Sequence, residues 1–313
     1  NDLFHFLIFT LKTNFSIVEY IYIMSITRQN LSVIIVSYKS DHVIENCINS
    51  IDSEIEIIVI DNSNNEQLKK KIETKYKNVK CILSKENLGM GAGNNLGIKN
   101  VNNDFALILN PDVFLEKNSM NEMFTASKGI DNFGIIAPIS SKDEYPNYIL
   151  KKDHNFDPDE PFKVKSVDGY AMLLNLKKLK KLDNFNFFDE NFFLYLENED
   201  LCKRLIEKNE NIYIIPKSKI HHLGGKAVDP KYKNEIEYLR NWHWMWSKFY
   251  FNKKHYGYLI ALLKVSKNLI SAKLRFFYFL ITLNSFKRKI YQMRLLGLIS
   301  SMRGKNSYYR PKI

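Results

Sequence analysis

Residues 31–37, Leu-Ser-Val-Ile-Ile-Val-Ser, form an apolar, β-branched run without the polar alternation of a half-exposed strand. Such a run is stable as a strand only when both faces are covered, as in a parallel sheet layered with helices. Three further short apolar runs follow, Glu56 to Ile60, Val79 to Leu83 and Phe105 to Leu109. Between them lie segments with helical spacing. Tyr38 to Ser53 reads as a turn and a short helix with Val43, Cys47, Ile48 and Ile51 on one face. Glu66 to Tyr76 reads as a Lys-rich helix, and Asn94 to Asn100 as another. Strands alternating with helices predict right-handed βαβ units and an open, mostly parallel α/β sheet.

After Asp112 the alternation loosens into a mixed sheet. Gly134 to Pro138 and Val164 to Leu174 read as strands, separated by a polar loop from Ser140 to Pro161. Phe192 to Asn209 reads as a helix, Asn211 to Ile215 as a strand, Lys219 to Gly225 as a turn, and everything from Lys231 onward as helix. The expected organisation is a poorly specified extension over 1–30, an α/β domain over 31–230 and a helical region over 231–313. Residues 3–24 are apolar but broken by Lys12, Asn14 and Glu19, too interrupted for a clean membrane span, and Met24 is a candidate start.

The charge is unevenly spread. The chain carries a net +12, yet from Tyr238 to Ile313 there are 16 Lys and Arg and no Asp or Glu. The preceding residues are slightly acidic. Cys47, Cys81 and Cys202 are few, odd in number and far apart, which excludes a disulfide framework or a zinc spacing and suits a reducing cytosolic setting.

Chemistry concentrates between Asn87 and Asp112. Asn-Leu-Gly-Met-Gly-Ala-Gly-Asn-Asn-Leu-Gly precedes an apolar strand that ends in Asn110-Pro111-Asp112, and an earlier strand ends at Asp61. Glycines let backbone N–H groups approach a phosphate or sugar. Carboxylates at the carboxyl ends of parallel strands lie where open α/β sheets bind ligands. Together they predict a sugar-nucleotide site. A nicotinamide or flavin fingerprint is excluded, because it follows the first strand directly with G-x-G-x-x-G spacing, whereas Gly91, Gly93 and Gly97 come about fifty residues later and one residue out of step.

These segments, with Phe-Phe-Leu-Tyr-Leu-Glu-Asn-Glu-Asp-Leu-Cys-Lys-Arg at 192–204, resemble inverting glycosyltransferases of family 2, which have the GT-A fold. The subgroup most resembled is that of rhamnosyltransferases in bacterial surface-polysaccharide assembly. The resemblance implies a nucleotide-sugar site built from Ser37, Tyr38, Asp61, Asn62, Asn87, Gly91, Gly93, Asn94, Asn110 and Gly169, with Tyr38 and Asp61 at the nucleobase and ribose. It also implies a divalent cation, Mg²⁺ or Mn²⁺, at Asp112, the last carboxylate of the family's Asp-x-Asp motif, and at one of His221 and His222. The donor it implies is a dTDP- or UDP-linked sugar.

Inversion needs a base to deprotonate the acceptor hydroxyl. In the family this is usually the Asp of a Glu-Asp pair, but here the pair is Glu197-Asn198. The candidate bases are therefore Glu197 and then Asp200, which on a helix would share a face. Asp200 also stands four before Arg204, the spacing of an internal ion pair. A catalytically impaired member that binds a nucleotide sugar or a partner without turnover is the alternative. A nucleotidyltransferase would need a basic glycine loop after its first strand, and none is present.

The aromatic, basic segment Arg240 to His255 lacks any nucleic-acid recognition motif. Tyr256 to Leu283 is strongly apolar but interrupted by Lys264, Lys267, Lys273 and Arg275. That pattern predicts interfacial helices on anionic lipid. The expected location is cytoplasmic, at the inner face of the membrane, where a polyprenyl-diphosphate-linked or other glycan acceptor would be presented.

Overall fold

A computed structural model describes residues 25–130, 132–141, 146–150, 157–183 and 185–311. Residues 1–24 of the expected extension, and parts of the expected polar loop, lie outside the described residues.

The first half is the predicted alternation. The chain runs β1 (Leu31–Ser37), α1 (Ile44–Asn49), β2 (Glu56–Asp61), α2 (Glu66–Lys75), β3 (Val79–Leu83), α3 (Gly89–Lys99) and β4 (Phe105–Leu109). It continues through β5 (Val113–Leu115), α4 (Ser119–Ser127), β6 (Ile135–Ser140), β7 (Tyr148–Leu150), β8 (Phe162–Val167), β9 (Ala171–Asn175) and α5 (Leu176–Leu179). Then come α6 (Glu197–Glu207), β10 (Ile212–His222) and three long helices, α7 (Lys233–Tyr256), α8 (Tyr258–Ile281) and α9 (Ser285–Met302).

Among the described residues the strands form one sheet in the order β3-β2-β1-β4-β9-β6-β10-β8-β7, with β5 paired to β10. β1, β2, β3 and β4 are mutually parallel, and β9 enters antiparallel between β4 and β6. Every residue of β1 is buried. Leu31, Val33 and Ile35 pack with α1, α2 and α4 on one side, and Ile34 and Val36 with α3 and α6 on the other. Because the chain winds from β1 outward to β3 and then returns to place β4 on the opposite side of β1, a crevice opens at the carboxyl ends of β1 and β4.

Four expectations about the α/β domain need correction. The glycine run is not a free loop that cradles a phosphate. It forms the first turns of α3, which begins five residues earlier than predicted. A Cβ on Gly93 would come 2.8 Å from Val36 and one on Gly97 2.4 Å from Ile34, so these glycines let the helix lie flat on β1. Gly91 is likewise closed off by the carbonyls of Phe192 and Asp189.

Val164 to Leu174 is not one strand but β8 and β9 joined by a turn at Asp168-Gly169-Tyr170. The helix predicted from Phe192 starts only at Glu197, because Tyr195 and Leu196 both take the left-handed conformation, with φ of 71° and 66°. Finally, the predicted turn at Lys219 is strand. β10 runs through an irregularity between Ile215 and Lys219 and continues to His222.

The last quarter is helical only to Met302. Residues 303–311 fold back along α7 to reach Asn191 and Asn87. α7 does not stand apart from the α/β core: Ser247 Oγ donates to the Leu194 carbonyl at 2.8 Å, and Tyr250 donates to Asp189 at 3.0 Å. α9 crosses α7 so closely that a Cβ on Gly297 would meet the Trp242 carbonyl at 2.1 Å.

Candidate active site

The crevice is a cavity of about 440 Å³, floored by the strand ends and roofed by α7. From β1 come Ser37 and Tyr38, from β2 Asn62, and from the turn before α3 Asn87. Ser37 donates to Asp61 Oδ1 at 2.8 Å, and the Asn65 amide takes the other carboxylate oxygen at 2.8 Å. Asp61 is fully buried and outside the cavity lining, bracing the turn that presents Asn62. Asn62 donates to the Gly89 carbonyl at 3.2 Å and leaves its Oδ1 buried without a partner. Burial raises the Tyr38 phenol above its ordinary value, offset in part by a hydrogen bond with Asn87.

The end of β4 supplies Asn110, Pro111 and Asp112. Its placement beside the histidines follows from strand register. Val113 pairs with His222, and the Leu223 amide donates to the Asp112 carbonyl at 3.0 Å. Side chains alternate along β10, so the two histidines point to opposite faces. His222 Nε2 lies 3.5 Å from Asp112 Oδ2, its ring stacked on Tyr170 with centroids 4.0 Å apart. His221 turns the other way, contacting Glu116 at 2.9 Å and Ser141 at 2.7 Å.

Asp112 Oδ2 also accepts from the Lys226 amide at 3.1 Å, while Asp112 Oδ1 and Asn110 Oδ1 are buried with no partner. Among the described residues no three His, Cys, Asp or Glu side chains converge on a metal position. Two unpartnered oxygens beside an imidazole nevertheless fit a hard divalent cation that takes its remaining ligands from a diphosphate.

On the opposite wall stands Glu197, the first residue of α6. It is buried, lines the cavity and leaves Oε2 without a partner. Burial pushes its carboxyl up to about 7, with the nearby charge of Glu199 adding to the shift. Its direction is set by the left-handed pair Tyr195-Leu196, a conformation costing roughly 1–3 kcal/mol per residue. α7 restrains this elbow, since Arg240 Nε donates to the Tyr195 hydroxyl at 2.7 Å beside the Ser247 bond to Leu194.

Asn198 donates to the Val167 carbonyl at 2.8 Å, and its Cβ would lie 3.1 Å from a Cβ on Gly169. It thereby anchors α6 to the Asp168-Gly169-Tyr170 turn. Asp200 faces away from the cavity, fully buried between Arg204 at 2.8 Å, Lys254 at 2.7 Å and His255 at 2.9 Å.

The structure thus brings Ser37, Tyr38, Asn62, Asn87, Asn110 and Asp112 to one cavity with Gly169, Glu197 and His222. It leaves Asp61, Gly91, Gly93, Asn94, Asp200 and His221 outside the lining. Sequence reasoning missed Arg240, which reaches the cavity from α7, whereas the Asp168-Gly169-Tyr170 segment, a candidate for the sugar or acceptor site, does line it, and its Tyr170 seats His222. Arg240 carried a faint signal as a cation amid aromatics, but that pattern reads equally well as surface.

The comparisons with known proteins agree with this architecture. The mannosyltransferase PcManGT from Pyrobaculum calidifontis, solved with GDP-Man and Mn²⁺, superposes with a TM-score of 0.53 at 12% identity over 88% of each chain. GalNAc-T7, solved with UDP, GalNAc and Mn²⁺, gives a TM-score of 0.51 at 15% identity, over 68% of this chain and 51% of that one. At such identity the likeness is one of fold, and the fold is GT-A.

The low-salt glycan biosynthesis hexosyltransferase Agl10 of Haloferax volcanii is 29% identical over 206 residues, 58% of this chain and 64% of that protein. The chain therefore spans less than two thirds of this relative's length. Residues 32–191, slightly over half of the chain and most of the cavity floor, match the profile of glycosyl transferase family 2. The chain belongs to glycosyltransferase family 2.

Proposed function

We propose that the protein is an inverting glycosyltransferase. It would move a hexose, rhamnose being the sugar the sequence resemblance suggests, from a dTDP- or UDP-linked donor to a hydroxyl of a glycan or polyprenyl-diphosphate-linked acceptor. The observation that carries this reading is one cavity in which, of three acidic side chains, Asp112, Asp168 and Glu197, the first and last stand in opposite settings. Asp112 is paired with an imidazole on the floor. Glu197 stands unpaired on the wall with its carboxyl raised to about 7.

The donor diphosphate would lie at Asn110, Asp112 and His222, with its nucleoside toward Tyr38, Asn62 and Asn87. Glu197, ionised near neutral pH, would accept the acceptor hydroxyl's proton as that oxygen attacks the anomeric carbon and the glycosidic bond to the diphosphate breaks. Asn110, Asp112 and His222 are the residues that would hold Mg²⁺ or Mn²⁺, which neutralises charge on the leaving diphosphate. Crystals of GDP-Man and UDP complexes of the fold neighbours contain Mn²⁺, which supports this assignment.

Calorimetric titration with UDP, dTDP, GDP and NAD⁺, each with and without Mn²⁺, tests the donor site. We expect Mn²⁺-dependent binding of a nucleoside diphosphate that Asp112→Ala abolishes. Binding of none of them by the wild type would overturn the proposal. Intact binding without turnover in the presence of acceptor glycans would favour the impaired-member alternative.

We further propose that α8 rests on the cytoplasmic membrane surface. Its packing is inverted relative to an ordinary surface helix. Ala261, Val265 and Ala272 face inward, while Leu259 and Leu263 are 75% exposed, Leu274 66% and Ile281 81%. With Ile270 and Phe277 these fall in a stripe about 60° wide at about 100° per residue, flanked by Lys267 and Lys273. No helix among the described residues is long and apolar enough to cross a membrane. A bulky apolar stripe edged by cations on an acid-free segment suits an anionic bilayer surface. Flotation should recover the protein with vesicles containing phosphatidylglycerol, and Leu263→Glu with Leu274→Glu should abolish it. Failure of the wild type to float would sink the idea.

A further inference from the structure

The segment after α9 returns to the cavity's outer end along a pinned path. Trp246 Nε1 donates to the Lys305 carbonyl at 2.9 Å, and Ser307 Oγ donates to the Asn191 carbonyl at 2.7 Å. The third anchor is His243, whose Nε2 contacts the Tyr309 carbonyl at 2.9 Å. Burial pushes His243 down to about 3, so its ring is neutral and Nε2–H donates.

This path delivers Arg310. Its guanidinium lies 3.6 Å over the Phe193 ring, Nε donates to the Asn87 carbonyl at 3.3 Å, and Nη1 donates to Ser307 and Tyr309 carbonyls. Nη2 makes no hydrogen bond among the described residues. The side chain walls a second hollow of about 300 Å³ that shares Tyr38, Asn62 and Asn87 with the main cavity and lies at its end away from Asp112. Burial pulls the Arg310 guanidinium below its ordinary value, and exposed Glu86, which lines the same hollow and forms no ion pair with it, offsets this in part.

We infer that Arg310 and Glu86 form the nucleobase subsite of the donor and select bases that present a carbonyl oxygen beside a ring N–H. This rests on the donor-site reading above and deepens it. Arg offers only donors and an ionised Glu only acceptors. Side by side they match the C=O/N–H edge of uracil, thymine or guanine. Cytosine presents an amino group beside an unprotonated nitrogen, as does adenine, so both polarities are reversed. The geometry also relieves Asp61 of base recognition, since both its oxygens are already committed.

UDP and CDP differ only at this edge, so they make the test. With the full chain and Mn²⁺, calorimetry should show UDP binding at least about tenfold tighter than CDP, as expected for a charge-assisted hydrogen bond. Arg310→Ala should weaken UDP about tenfold and leave CDP within about twofold, with only a small loss in melting temperature. The exposed Glu86→Ala should act the same way, severalfold on UDP alone, and provides an independent arm if Arg310→Ala folds poorly. Equal loss of both nucleotides, no loss of either, or a wild type that prefers CDP would overturn the inference while leaving the donor site intact. A wild type that binds none of UDP, CDP, dTDP and GDP overturns the donor site itself.

Discussion

Glu197 and Asp200 stand three residues apart in the first turn of α6, and both are buried, yet they occupy opposite environments. Around Glu197 the elbow of left-handed residues opens onto the cavity, and one carboxylate oxygen has no partner. Around Asp200 the seam between α6 and α7 closes, and three cationic or titratable side chains converge within 2.9 Å. Burial without a partner pushes a carboxyl toward neutrality and makes it a usable base. Burial among cations makes a carboxylate a rivet. Which of two neighbouring acids is left free to act as a base is therefore decided by the helix packed against them rather than by their own helix.

The contrast can be broken most sharply at Glu197. Glu197→Gln should lower kcat by about 10²–10⁴, the usual contribution of a positioned base, with an unchanged fold. A variant that keeps a tenth of the activity would remove Glu197 from the mechanism.

Asp200→Ala should act on stability. Removing one partner of a buried ion cluster costs about 3 kcal/mol, the low end of the range because Arg204 and Lys254 remain partly solvated. Urea unfolding measures this, and a loss below about 1 kcal/mol would dissolve the distinction between the two acids.

The pH dependence sharpens the same contrast. Glu197 has a folded value near 7, above its ordinary 4.5, so its neutral form stabilises the fold fully below pH 4.5 and that contribution is lost as pH rises through 7. Activity should run in the opposite direction, falling about tenfold per unit below pH 7. Glu197→Gln should be more stable than wild type at pH 8 and no more stable at pH 4. A rate profile flat between pH 5 and 8 would exclude Glu197.

The smallest expected effect is at Asn198. Asn198→Asp cannot donate to the Val167 carbonyl, so it should cost about 1–2 kcal/mol without raising kcat. A large gain in activity would move the base to position 198 and favour the impaired-member reading.

Much of this molecule was legible in sequence where local rules and tertiary demands coincide. β1, β2, β3 and β4 end within a residue of where their β-branched runs predict, because runs buried on both faces have no alternative partner. The glycines of α3 misled because their use is to let a helix touch a strand, which is a tertiary fact that resembles a loop signature. Nothing in Tyr195-Leu196 marks a left-handed elbow, since neither residue favours it and the braces from α7 are distant in sequence. His221 and His222 could not be told apart until the β5–β10 register aimed them. The basic final quarter looked uniform, whereas α7 roofs the cavity, α8 turns its bulk outward and Arg310 returns to Asn87.

That last contact joins residues 223 positions apart. On a ribosome adding about 5–20 residues per second, the strand ends that floor the crevice emerge tens of seconds before the side chain that walls its outer end. Vectorial synthesis thus finishes the scaffold well before it finishes the pocket.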